Sequence, residues 1–481
     1  MKLSQLVGSL DVKGDKALCV DVNGIAYDSR DVKPGDVFVC IKGYSTDGHK
    51  YVKSACEKGA AAIVASDIIE SDVPVLYTED TRLALACMSK AYFGNPLQNI
   101  KLIGVTGTNG KTSVTYLIKA MLEAQGMKVG LIGTNQNMIG TKIIPTERTT
   151  PESFELYKLF FEMAKDGADC IVMEVSSHAL ELNRVGGCEF DTAVFTNLTQ
   201  DHLDFHETME NYFWAKSRLF SHCKNAVINV DDTYGRRIEK MCGVNVITYG
   251  ICNEAIAKAS DMSISAKGVG YNLCYNDTSY EASVCIPGKF SVYNSLAAIC
   301  ATMSVGVDIE RCLLALKNVS GVKGRAEIVD TDTDFTIIID YAHTPDGLEN
   351  ILSTVNEFKS ARVITVFGCG GDRDRTKRPK MGKIAGELSD AVVVTSDNPR
   401  TEEPSKIIDD IMPGVLESGC EYVRIENRRD AIKHAIMYAC AGDIIVLAGK
   451  GHETYQILKD GTIHFDEREI VCEVLREIGE K

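Results

Sequence analysis

Between residues 99 and 322 the chain alternates short apolar runs with longer stretches whose apolar positions recur every three or four residues. The runs at 101–105, 129–132, 170–175, 192–198 and 226–230 predict strands, and the spacing at 113–125 and 153–165 predicts helices. Strand and helix in alternation imply a mainly parallel sheet with helices on both faces. From 247 to 286 the pattern shortens to brief polar and apolar runs, which predict hairpins. A helix over 292–305 closes this unit, and Gly321–Gly324 reads as a hinge.

Ahead of this unit, residues 1–98 carry strand-like runs at 37–41 and 61–64 around a helical 51–58, and Gly94, Asn95 and Pro96 mark the break. After Arg325 a second α/β pattern begins. Four apolar runs each end in a polar cluster: 335–340 leads into YAHTP, 362–367 into GCGGDRD, 391–395 into SDNPR, and 444–447 into AGKGHE. Ligands of an open parallel sheet sit beyond the carboxyl ends of its strands, so four such clusters predict a second binding site. The expected architecture is three α/β domains: 1–98, a central 99–322, and a Rossmann-like 323–481.

Composition narrows the function. A net charge of −15 argues against a nucleic-acid surface. Cationic residues nonetheless gather in or near the glycine-rich motifs, at Lys111, Arg325, Arg373, Arg375, Lys377, Arg378 and Arg400, which points to local anion binding. No apolar run approaches the length of a membrane span, and the first residues lack a signal-peptide core. The 17 cysteines include no CxxC pair, consistent with reduced thiols in the cytoplasm.

The sharpest motif is GVTGTNGKT at 104–112, directly after a strand-like run. Strand, glycine turn and helix make a nest of backbone N–H groups around phosphate oxygens. Gly107 and Gly110 supply the backbone freedom, and Thr108 and Asn109 lie between them. Lys111 brings a charge to the terminal phosphates, and Thr112 a hydroxyl for Mg²⁺. Position 105, where the strict motif has glycine, is Val105, so this is a P-loop variant. It predicts ATP binding.

Glu174, at the tip of a strand beside the P-loop, is placed to anchor Mg²⁺, although a strand-end Glu also serves as a loop hydrogen-bonder. In TNLTQDHL, at 196–203, His202 is placed to approach a metal or phosphate, while His206 reads as exposed. Lys216, in MENYFWAKSRLF, reads most simply as a solvated or ion-paired lysine.

Taken together the motifs resemble the Mur ligase family, ATP-dependent amide-forming enzymes of peptidoglycan synthesis. The resemblance spans the chain: DSR at 28–30, TGTNGKT at 106–112, TTP at 149–151, EVSSHAL at 174–180 and TNLTQDHLD at 196–204. It continues through WAK ending at Lys216, the helix of Asn294, GRAE at 324–327, DYAHTPD at 340–346, GCGGDRD at 368–374, DNPR at 397–400 and GKGHE at 449–453. It is strongest toward the members that add the third residue of the stem peptide.

The resemblance implies roles. Ser29 with Tyr44, Ser45 and Thr46 would hold the uridine nucleotide of UDP-MurNAc-L-Ala-D-Glu. Thr149, Thr150, Ser176 and Arg184 would hold its muramoyl-dipeptide part; Leu182 stands where relatives usually carry Gln. Thr112, Glu174 and His202 would bind Mg²⁺, and Lys216 would be carbamylated. Asn294, Arg325, Asp340 and His343 would position the adenine nucleotide. Arg373, Asp397, Asn398, Pro399, Arg400, Gly449 and Glu453 would take meso-diaminopimelate. Arg at the end of DNPR suits that choice, because diaminopimelate has a second carboxylate that a guanidinium clamps in a bidentate pair. The other reading makes Arg400 a surface partner of Glu402 or Glu403.

The implied reaction is amide formation through an acyl phosphate, by a cytoplasmic monomer. A lysine-adding relative or a folate-polyglutamate ligase is the nearest rival enzyme. A nucleotide-switched binding protein is the rival of another class, and a guanine-reading NKxD motif is absent.

Overall fold

The computed structural model describes residues 1–479 apart from 9, 15–17, 44–45, 145–147, 266 and 320. The expected Tyr44 and Ser45 contacts therefore lie outside the described residues. Three of the four sheets among the described residues organise the chain, each with its own helices, as the three-domain α/β expectation requires; the fourth is a small hairpin of Tyr455–Leu458 and Gly461–His464.

The first is a four-stranded parallel sheet of Gly24–Ala26, Asp36–Val39, Ala62–Ala65 and Val75–Tyr77, in sequence order. It is tied to the central unit by Tyr27, whose hydroxyl donates to Glu155 at 2.9 Å, and by Asn183, which donates to Asp80 at 2.6 Å.

The central sheet has eleven strands. Its parallel heart contains Val129–Ile132, Cys170–Glu174, Lys101–Thr106, Phe190–Phe195, Cys223–Asn229 and Asn245–Gly250, in that spatial order. These strands are almost wholly apolar because both faces are covered. The helix Lys111–Glu123 buries Val114, Leu117, Ile118, Met121 and Leu122 completely, one stripe of a 3.6-residue repeat. Each such side chain contributes roughly 1.5–3 kcal/mol by leaving water. The stripe packs against the helix Lys289–Ser304, which is apolar on nearly every side and correspondingly buried. The predicted hairpin region is an antiparallel meander of Ala257–Ser265, Gly268–Tyr275 and Thr278–Val284.

The third sheet orders Glu327–Val329, Thr336–Asp340, Ile444–Ala448, Val363–Phe367, Ala391–Val394 and Glu421–Arg424. The four strands foreseen from the sequence are adjacent and parallel, so their polar loops leave from one edge. The two short outer strands escaped the pattern because neither carries an apolar run. At the junction, Gly321 and Gly324 both have positive φ, 129° and 71°. A Cβ on Gly324 would collide with the backbone of His452, so close packing as well as chain reversal demands glycine there.

Candidate active site

Parallel register brings the central motifs to one edge. Val105 pairs with Glu174, and Thr106 with Phe195, so the strands leading into the P-loop, Glu174 and the 196–204 loop end side by side. Gly110 sits at φ 86° and opens the helix Lys111–Glu123. A Cβ on Gly107 would overlap Thr196 Oγ1, and one on Gly110 would lie 2.5 Å from Asn294 Oδ1. The turn is therefore glycine for backbone reasons. Lys111 Nζ donates to the carbonyls of Gly107 and Thr108 at 3.0 and 2.8 Å, and burial lowers its pKa.

Glu174 is buried, and both carboxylate oxygens are engaged. Oε1 accepts from Thr112 Oγ1 and from the Thr134 amide, each at 2.9 Å; Oε2 accepts from Thr134 Oγ1 at 3.0 Å. Thr134 was not foreseen, though it too follows a strand end. Its hydroxyl also meets that of Thr149 at 2.9 Å. Thr150 Oγ1 donates to the Glu174 carbonyl, Ser176 caps the helix Ser177–Glu181, and Arg184 reaches the Thr150 carbonyl and Glu152. One cluster thus links four of the residues expected to face the dipeptide.

Lys216 corrects the sequence-based expectation. It is 1% exposed and has no carboxylate partner among the described residues; its Nζ donates to the Gly107 carbonyl at 2.8 Å and lies over the Tyr212 ring. Burial drives its pKa well below the ordinary lysine value, and the Lys111 charge adds to the effect. His206 is likewise buried rather than exposed, its Nε2 2.9 Å from Ser177 Oγ. Both sit on helices whose tertiary neighbours, not their own spacing, cover them. His202 lines the cleft with φ 53°, a left-handed conformation that costs roughly 1–3 kcal/mol in a non-glycine residue.

The cleft itself, about 680 Å³, lies between the central and third sheets. Its walls include the P-loop, Glu174, His202, Lys216 and Asn294 on one side, with Arg325, Asp340 and His343 on the other. Four side-chain hydrogen bonds among the described residues join the sides. Arg325 Nη2 donates to Thr112 Oγ1 at 3.2 Å, and Asn135 donates to the Lys323 carbonyl at 2.9 Å. Asp346 accepts from Asn109 at 2.5 Å, and also from Thr199 at 3.0 Å. Asp346 is the last residue of DYAHTPD, and nothing in that motif's spacing marks it as a bridge between the sheets. Asp340 accepts from the amides of Ala326 and Ala342, which fixes the loop bearing Arg325; burial raises its pKa.

The remaining expected residues lie away from these walls. Asp397, Asn398 and Pro399 are buried at the end of Ala391–Val394. Asn398 donates to Glu453 at 2.9 Å and accepts from Lys450 Nζ and the Ile457 amide. Gly449, at φ 119°, lets Asp397 approach where a Cβ would stand 2.6 Å from its carboxylate. Arg400 has φ 54° and donates to the carbonyls of Gly371 (2.8 Å) and Asn398 (3.4 Å). It makes no ion pair among the described residues; Glu402, its supposed alternative partner, is held by Arg378 at 2.7 Å. Arg373 is exposed on the neighbouring loop.

In the first unit, Ser29 lies between the ion-paired Asp28 and Arg30, and Thr46 donates to the Tyr51 hydroxyl at 3.0 Å. Asp47, His49 and Asp67 cluster nearby. That cluster is satisfied internally: His49 Nδ1 meets Asp47 at 2.6 Å, Nε2 accepts from the Ser66 amide, and Lys42 bonds Asp67. A second cleft, about 430 Å³, has its three lysines committed, Lys90 to the Gly187 carbonyl, Lys101 to the Val305 carbonyl and Lys224 to Asp191.

Comparison with known proteins agrees with the three-part layout. Residues 21–92 match the Mur ligase family catalytic domain, 105–302 the Mur ligase middle domain, and 324–451 the Mur ligase glutamate ligase domain. A Clostridium botulinum protein named UDP-N-acetylmuramoyl-L-alanyl-D-glutamate--2,6-diaminopimelate ligase is 50% identical over 99% of this chain and 100% of its own. One of the same name from Caldanaerobacter subterraneus subsp. tengcongensis is 51% identical over 97% of each. A solved structure of a ligase so named superposes with a TM-score of 0.74 at 33% identity, covering 100% of both chains. The motifs, the shared edge they occupy and this end-to-end likeness have one reading: the chain belongs to the Mur ligase family.

Proposed function

We propose that the protein is the ATP-dependent ligase that joins meso-diaminopimelate to the D-glutamate γ-carboxylate of UDP-MurNAc-L-Ala-D-Glu during peptidoglycan precursor synthesis. The observation that carries this reading is identity near 50% along the whole length with ligases named for that acceptor. A cytoplasmic monomer with domains 1–98, 99–322 and 323–481 completes it; among the described residues no helix is long and apolar enough to cross a membrane.

A carboxylate and an amine do not condense in water, so the acid is first activated. The γ-carboxylate attacks the γ-phosphorus of ATP, ADP leaves, and an acyl phosphate forms. The acceptor amine then attacks the acyl carbon and expels phosphate. Lys111 and the amides of Gly107–Thr112 stabilise charge on the phosphates, while Asn294, Arg325, Asp340 and His343 seat the nucleotide. Thr149, Thr150, Ser176 and Arg184 orient the dipeptide, and Ser29 with Thr46 holds the uridine end. Thr112 and Glu174 offer hard oxygen donors 2.9 Å apart, with His202 on the same cleft, a set that suits Mg²⁺. That ion, when bound, neutralises phosphate charge.

Lys216 is poised for carbamylation, because burial favours the neutral amine that adds to carbon dioxide. A carbamate signal in NMR spectra with isotope-labelled bicarbonate, absent from Lys216→Met, checks that step. At the acceptor site Arg400 and Arg373 would meet the distal carboxylate, within the frame of Asp397, Asn398, Pro399, Gly449 and Glu453.

The test is phosphate release with ATP, Mg²⁺ and UDP-MurNAc-L-Ala-D-Glu, supplied with meso-diaminopimelate, L-lysine or no amino acid. Turnover confined to diaminopimelate is expected. Turnover with lysine alone would overturn the acceptor assignment, and equal release in all three without tripeptide would overturn the ligase.

A further inference from the structure

The loops 370–374 and 397–402, which carry Arg373 and Arg400, are braced by one of the guanidinium groups that the sequence places near the glycine-rich motifs. Arg378, in the helix Lys377–Leu388, has a fully buried side chain. Its Nη1 and Nη2 grip both carboxylate oxygens of Glu402, at 3.0 and 2.7 Å. Nη1 also donates to Asp410 at 2.8 Å, and Nη2 to the Gly370 carbonyl at 3.2 Å.

Glu402 and Arg400 stand on either side of one peptide unit. The Gly371 carbonyl of that unit accepts from Arg400 at 2.8 Å, and its Asp372 amide donates to Glu402 at 2.6 Å. Opposite charges two residues apart on one loop are able to pair. They do not pair here, because Arg378 occupies the carboxylate.

We propose that Arg378 is a positioning residue for acceptor selection: it sequesters Glu402, so that the Arg400 guanidinium stays available for the distal carboxylate of the incoming amino acid. The proposal rests on the reading of Arg400 given above and deepens it. A carboxylate tethered this closely acts at an effective concentration on the order of millimolar or more, enough to compete with a free amino acid. Bidentate capture by Arg378 removes that competitor, which a point-charge lysine would do less completely.

The test compares KM for meso-diaminopimelate in full-length variants, with KM for ATP and for the UDP substrate as internal references. Arg378→Met is expected to raise the acceptor KM about tenfold or more and to leave the other two within about twofold. Adding Glu402→Gln to it is expected to restore most of the loss, because the amide carries no competing charge. Glu402→Gln alone keeps the acceptor KM within about twofold and stands in if Arg378→Met does not fold.

An unrestored double variant, or a Glu402→Gln enzyme as impaired as Arg378→Met, would make the pair a structural strut and overturn the proposal. If Arg400→Ala leaves the acceptor KM unchanged, the reading of Arg400 fails and takes the proposal with it. If Arg400→Ala raises that KM while the double variant stays impaired, only the sequestration fails.

Discussion

The P-loop cleft and the loops proposed to take the acceptor are both built at the carboxyl ends of parallel strands, but they are held by different forces. In the cleft the frame is backbone. Glycines admit close approaches, and two lysines, the half-buried Lys111 and the buried Lys216, rest on main-chain carbonyls of the loop. Around the proposed acceptor site the frame is charge, with Arg378, Arg428 and Lys450 fully buried and each paired with a carboxylate. A backbone nest binds phosphate whatever the second substrate is. Side-chain braces can be exchanged one at a time, so the proposed selectivity among amino acids would belong with them.

The comparison breaks most sharply at Lys111. Lys111→Ala is expected to lower kcat by about a thousandfold with the fold intact, measured as steady-state phosphate release. If an acceptor-side variant costs as much in kcat, the two regions do not divide the work in this way. Next comes Arg428→Met, which strands Glu467 as an uncompensated buried carboxylate. A loss of about 3–5 kcal/mol is expected by thermal or denaturant unfolding. A near-neutral change would show that charge is not what holds this frame.

Arg400→Ala is expected to raise KM for diaminopimelate about a hundredfold while KM for ATP moves little. Equal changes in both would make Arg400 part of a shared surface rather than a reader of the acceptor. The smallest effect is one of pH. The hydrogen bonds from Arg378 hold the Glu402 carboxyl down to about 2 from an ordinary 4.5. The unfolded chain therefore binds the proton first, and the pair's contribution, complete above pH 4.5, fades as pH falls toward 2. Wild type and Glu402→Gln should converge in stability across that window, followed by acid titration of the unfolding midpoint. A constant gap would remove the pair from the acid response.

The sequence alone determined the three α/β units, the P-loop, the four strand-end clusters and the family. These are local signals: apolar runs long enough to be strands, helical stripes such as Val114 to Leu122, and glycines whose spacing fits one turn. Parallel pairing then needed only the alternation of elements. What the tertiary structure alone decided is the environment of single charges. Lys216 and His206 carry no local mark of burial, because their hydrogen-bond partners, Gly107 and Ser177, lie 109 and 29 positions away. Thr134 meets Glu174, and Asp346 meets Asn109, only after the sheets are assembled, the latter across 237 positions. Which of two candidate partners takes Glu402 was settled the same way. Arg400 is nearer in sequence, but Arg378 presents both nitrogens to the carboxylate from a buried helix, and that geometry wins.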